Sequence, residues 1–239
     1  MTRSTNVPDI SSSPRCEVLR RDALTAVDRE EMFALYATFF DARRAVFERD
    51  LDEKEWVVLL RDERGRVDGF STLMRMDVGD VTVFFSGDTV VARHRWGTYD
   101  LPRFWAKHVF AQAAMLAPRE VYWFLISSGY RTYRYLPVFF RDFHPRLDRP
   151  TPPHVQALID RIARAMFDGS YDASAGVVRL ATPAPLREGI SDPEERVARD
   201  PHVRFFVERN PNHAAGDELA CLVRVSPDNV TPAGQRMIR

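Results

Sequence analysis

The chain of 239 residues has little of several things. Cys16 and Cys221 are its only cysteines, which excludes a disulfide framework and suits a reducing compartment. Lys54 and Lys107 are its only lysines; the other basic side chains are arginine. Basic and acidic side chains both number 34, so the formal net charge is zero. General nucleic-acid binders and anionic-membrane binders carry a basic excess, so any anion site here must be local. No long apolar run occurs, and the opening MTRSTNVPDISSSP lacks a signal-peptide core. A cytoplasmic protein without a membrane span is the expectation. His144, His154, His202 and His213 have no metal-ligand spacing with one another or with the cysteines, so no metal is expected. No G-x-S-x-G stretch marks a serine hydrolase.

What is present is a sequence of elements. With 45% hydrophobic residues, the chain can bury one large domain, or one domain with an appendage. Residues 1–15 read as a disordered tail. Thr25 to about Glu48 shows helical periodicity, with Thr25 or Asp28 as cap. Trp56–Leu60, Phe70–Met76 and Val81–Phe85 read as an antiparallel meander turning at Gly65 and Gly79. Ser86–Gly87–Asp88 interrupts the third strand, as a bulge or splay does. A helix capped by Asp100 stops before Pro118. Val121–Ile126 is apolar throughout, as in a strand covered on both faces. Gly129–Phe143 begins as a helix that Pro137 kinks or ends. Proline-rich RLDRPTPP is a stiff connector to a helix at His154–Phe167. Val177–Leu180 reads as a short strand, Asp192–Arg199 as a polar helix, HVRFFVERN as helix or strand, and ELACLVRV as a terminal strand. The fold class is α/β (α+β): a mixed, mostly antiparallel central sheet with flanking helices. The core spans 16–145, and 146–239 is a C-terminal α/β extension completing the sheet.

The order helix, three-strand meander, helix, strand, helix between Thr25 and Pro145 resembles the N-acyltransferase superfamily. Its best-known members acetylate amines from acetyl-CoA. In that family a splayed fourth strand exposes backbone to pantetheine, and a turn Q/R-x-x-G-x-G/A wraps the pyrophosphate. The matching stretch is HRWGTY, His94–Tyr99. Gly97 takes the first glycine position, Tyr99 the last small-residue position, and His94 the leading one. The resemblance implies acyl-CoA or acyl-phosphopantetheine as co-substrate. Val91, Arg93, Arg95, Trp96, Gly97, Thr98 and Arg103 would bind it. A small-molecule amine would be the acceptor. An acyl carrier protein or a charged tRNA is a further possible partner, and the protein would be a monomer or homodimer. RRAVFERDL followed by VVLLRDERGRVDGFSTL also resembles the start of acyl-homoserine-lactone synthases, through Arg44 and Phe47. The whole chain is similar to bacterial acyltransferase-like proteins without assigned activity.

The same residues can be weighed on their own chemistry. Arg93, His94, Arg95, Arg103 and Lys107 surround a helix start, where backbone amides favour anions. They read either as a phosphate site or as a solvated arginine-rich loop. Tyr133 falls where the family's tyrosine protonates the leaving thiolate; it reads equally as core packing. Asp88 at the splay is a candidate general base or a turn residue. Ser127 and Ser128, with Ser128 the candidate at the cleft, end the next strand and could instead cap a helix. Phe139, Phe140, Phe143 and Trp105 could line an acyl tunnel or belong to the core. His213 lies in a polar loop that closes over the cleft or is a plain turn. Two rivals follow: a catalytically inactive acyltransferase fold used for binding, and a fatty-acyl transferase making a signal or lipid.

Overall fold

The computed structural model describes residues 15–190 and 194–239. The chain opens with β1 (Arg15–Arg20), then α1 (Ala26–Tyr36) and α2 (Arg44–Asp52). Three strands follow: β2 (Trp56–Arg61), β3 (Val67–Val78) and β4 (Val81–Val91). Helix α3 (Asp100–Met115) crosses over to β5 (Val121–Ser127). Two short helices, α4 (Tyr130–Tyr133) and α5 (Tyr135–Phe139), lead to α6 (Pro153–Phe167). The rest is β6 (Tyr171–Asp172), β7 (Val177–Val178), α7 (Glu194–Arg199), α8 (Pro201–Arg209), β8 (Glu218–Arg224) and α9 (Pro232–Ile238).

All eight strands join one sheet in the order β1-β2-β3-β4-β5-β8-β7-β6. Only β4 and β5 pair parallel; the long connection through α3 is what a parallel pair needs. The fold is therefore the expected α/β arrangement with a mostly antiparallel sheet. Period-two alternation sends Trp56, Val58, Leu60, Phe84, Trp123, Leu125 and Cys221 to one face, under α3, α8 and α9. On the other face Val57, Leu59 and Phe70 pack against α1 and α2. Further along that second face, Val83, Phe85, Phe124 and Leu222 pack against α6. The second face thus carries two separate apolar clusters, with a gap between α2 and α6.

Three expectations are corrected and one element is added. The tail was drawn to residue 15; 1–14 lie outside the described residues, and Arg15 already pairs with Arg61 in β1. The helix from Thr25 to Glu48 is two helices. Thr25 caps α1 in a full capping box with Asp28, but the chain leaves the helix after Tyr36 so that Phe40 can bridge to Leu186. Asp100 does not cap α3: Tyr99 holds the cap position without a side-chain bond, and Asp100 sits in the first turn. Met237 and its neighbours in α9, which had no assignment, close the first face.

Candidate functional site

The site begins with one extra residue in β4. Leu73 pairs with Ser86 and Ser71 with Thr89, so Gly87 and Asp88 together oppose Thr72. That is a bulge. Pairing between β4 and β5 ends at Ser86–Leu125. Beyond it β4 stays with β3 through Val91, while β5 runs on beside β8 to Ser127–Leu219. The two parallel strands therefore part in a V. Glycine at 87 is required by space: a Cβ there would lie 2.6 Å from Thr72 Oγ1 and 2.8 Å from Lys54 Cε.

Three cavities meet at this opening, and Thr89 and Thr132 line all three. The largest, ≈ 560 Å³, occupies the gap on the α1/α2/α6 face. Tyr36, Asp50, Asp88, Ser128, Phe167 and Glu218 line it. The second, ≈ 60 Å³, is apolar and lies on the opposite face among α3, α5 and α9. The third, ≈ 130 Å³, runs along Val90 and Val91 to Trp96 and Arg131.

The large cavity is acidic. Burial, then the charge of Asp50, pushes the Asp88 carboxyl up to about 7; Lys54 and a hydrogen bond from Tyr36 pull the other way. Burial, then Asp88 and Asp50, pushes Glu218 up to about 8. Lys54, with its side chain 1% exposed, is spent on Asp50 at 2.6 Å. Carboxyl groups that share a poorly solvated space hold their protons, which is how a general base acquires a proton affinity near neutrality. Tyr36 itself is raised by burial and by Asp88.

The other residues singled out from sequence divide sharply. Ser128 lines the large cavity, and its carbonyl lies 3.2 Å from His213 Nδ1. His213 thus stays buried in a short turn against the end of β5. Ser127 Oγ donates to Gly129 O, closing the turn into α4. Tyr133 does not reach the cleft. It is fully buried, its hydroxyl donates to Pro145 O at 3.2 Å, and Phe143, Phe205 and Phe206 surround it. Burial raises its pKa strongly. Two positions on, Tyr135 lines the second and third cavities, stacked 5.7 Å from Phe139. The backbone stays helical through Arg134, so the two-residue step turns Tyr135 by roughly 200° to the side opposite Tyr133. Trp105, Phe139 and Phe140 line the apolar cavity, whereas Phe143 packs behind Tyr133. Arg44 pairs with Glu30 and Glu48 on the surface, and Phe47 joins the aromatic core of α1 and α2.

The turn after β4 is partly committed. His94 Nε2 and Arg95 Nε both meet Asp68 Oδ2 at 3.0 Å. The Trp96 indole donates to Val91 O at 2.9 Å. Since Ala92 N bonds Asp68 O on β3, the Val91 carbonyl of the same peptide points to the open edge. Arg131 lies 4.0 Å from the Trp96 ring centroid and Arg93 5.5 Å. Gly97 has φ +93° with free space around it, and Thr98 N bonds Arg95 O. Arg93 and Arg103 are exposed at the start of α3. Among the described residues no cluster of His, Cys, Asp and Glu could hold a metal ion. No helix among them is long and apolar enough to cross a membrane.

No family model matches the sequence, and no curated protein matches it. Solved structures do. A GNAT-family N-acetyltransferase from Escherichia coli, solved with CoA, is 12% identical; the overlap covers 52% of this chain and 69% of that one, with a TM-score of 0.39. An acetyltransferase from Trypanosoma brucei is 17% identical over 59% of this chain and 100% of that one, TM-score 0.41. An acyl-CoA N-acyltransferase from Pseudomonas aeruginosa is 12% identical over 56% and 93%, TM-score 0.37. This chain's own architecture is a meander, a helical crossover to a parallel β5, and a V opened at Gly87.

Proposed function

We propose that the protein transfers an acyl group from a pantetheine thioester, carried by CoA or an acyl carrier, to the amine of a small molecule. The observation that carries this reading is the bulge at Gly87–Asp88. It parts β4 from β5 and leaves a carboxyl with proton affinity near neutrality in the opening. The donor's phosphates fall to Arg93, Arg103 and the turn at Gly97, because His94 and Arg95 are already paired with Asp68. The thioester lies where Thr89 and Thr132 join the cavities. The acceptor amine enters through the cavity lined by Asp50, Asp88 and Glu218.

The step is direct. The amine nitrogen attacks the thioester carbonyl carbon; the C–N bond forms and the C–S bond breaks. Asp88 takes the proton that the nitrogen loses, and Tyr135 gives one to the departing thiolate. Ser128 borders the acceptor side. Tyr133 has no part in it, being closed into the core. Residues 146–239 supply Glu218 to the site and α9 to the cavity wall, so they belong to the working unit together with 16–145.

A second reading, a binding protein on the same fold, is favoured by one feature. At the Val91 carbonyl a donor amide competes with the Trp96 indole. Calorimetric titration with CoA, acyl-CoA and Trp96→Phe separates the two. The transfer reading expects saturable acyl-CoA binding, with Asp88→Asn still binding but unable to transfer to an amine panel. Binding without transfer by the wild type selects the second reading; no binding at all removes the first.

A further inference from the structure

The transfer step draws on Tyr135 at the cavity on the α3 face and on none of its apolar lining. The cavity opens from the V through Gly87, Thr89 and Thr132 and runs between Trp105 and Phe110 of α3, Phe139 and Phe140 after α4, and Met237 and Ile238 of α9. Three of the hydroxyls in its lining, those of Ser71, Ser86 and Thr89, are already engaged. Ser86 Oγ accepts both the Trp105 and the Trp123 indole N–H at 3.0 Å. Ser71 Oγ and Thr89 Oγ1 are bonded at 2.8 Å. Such a lining offers water few partners, and apolar cavities of this kind stay dry or take apolar guests. Close-packed interiors do not keep such voids without cause.

Resting on the proposed acyl transfer, we infer that this cavity is an acyl-chain pocket, and that the donor carries an aliphatic acyl group of about four carbons. Three facts lead there. The pocket shares Gly87, Thr89, Ile126 and Thr132 with the acidic cavity, so a chain in it has its carbonyl at the wall that the acceptor reaches from the other face. Tyr135 lines it, beside the place where the thiolate must leave. Its size is the third. A cavity of about 150 Å³ holds benzene, so ≈ 60 Å³ admits roughly two or three carbons beyond the carbonyl. Met237 forms part of the far wall; its unbranched side chain gives way more easily than the indoles.

The test is calorimetry of free CoA, acetyl-CoA, butanoyl-CoA and octanoyl-CoA with the wild type, Met237→Trp and Ile238→Trp. Ile238 is half-buried near the chain end, so its variant tests filling even where the Met237 variant does not fold. Two further buried methylenes predict butanoyl-CoA binding about tenfold tighter than acetyl-CoA. Either filling variant should lose that advantage and keep its affinity for acetyl-CoA. Acetyl- and butanoyl-CoA binding within twofold, or an advantage untouched by both fillers, overturns the pocket and leaves acyl transfer standing. No binding of any CoA species overturns both.

Discussion

Gly87 and Asp88 do different jobs in adjacent positions. Gly87 leaves space for Thr72 and Lys54; Asp88 turns into the cavity beneath. Gly87→Ala should therefore destabilise the fold by about 1–3 kcal/mol through overpacking, read as a lower urea midpoint with an unchanged slope. Asp88→Asn should cost on the order of 100-fold or more in turnover and leave the fold intact. The wild-type rate should climb as pH rises through about 7, as Asp88 gives up its proton; a limb at the usual carboxylate range of about 4 would remove Asp88 as base. Part of this was legible. A glycine inside a strand pattern marks a bulge, and Asp88 follows it directly. Glu218 was not legible, because 130 residues separate it from Asp88 and only the pairing of β8 with β5 brings it in. Tyr133 and Tyr135 differ by two positions, roughly 200° on a helical backbone, so one is closed into the core and the other sees the cleft.

The elements show what a pattern of residues can and cannot announce. The meander β2–β3–β4, α3 and β5 follow from alternation, helical period and turn glycines, so their order was readable. β1 was hidden because RCEVLR is short, with only Cys16, Val18 and Leu19 apolar and no clean alternation, and its support comes from pairing with β2. The break between α1 and α2 was hidden because aromatic residues continue through it at helical spacing, serving the same core from two helices. Thr25 does announce α1. Thr25→Ala removes the hydroxyl half of the capping box, leaving the Thr25 N–H on Asp28, and should cost about 1 kcal/mol in a thermal or urea melt. The turn after β4 carries the sharpest element-level expectation. Trp96→Phe keeps the ring for Arg131 but releases the Val91 carbonyl, so acyl-CoA should bind several-fold tighter. Weaker binding would mean that the indole holds the donor instead of guarding the strand edge.

For the whole molecule, the sheet separates two chambers: an acidic one on the α1/α2/α6 face and an apolar one under α3 and α9. The V between β4 and β5 joins them. This division has a thermodynamic signature. Asp88 and Glu218 keep their protons to about 7 and 8 in the folded protein and lose them near about 4 when unfolded. Between those limits the folded state binds more protons, so their contribution to stability is present below about 4 and fades as pH rises to about 8. Half-buried His108 and buried His213, held below their usual range by desolvation, act in the opposite sense. The difference between proteins isolates the carboxyls: from pH 5 to 8.5, an Asp88→Asn/Glu218→Gln variant should lose less stability than the wild type in urea titrations.

The claim beneath all of this is that the V is the place of donor binding, and Thr89 stands at its junction. Calorimetric titration of butanoyl-CoA into the wild type and Thr89→Trp tests it directly. The account predicts one saturable site in the wild type, and at least a tenfold loss in a Thr89→Trp protein whose melting is otherwise native. Undiminished binding by Thr89→Trp, or none by the wild type, would contradict it.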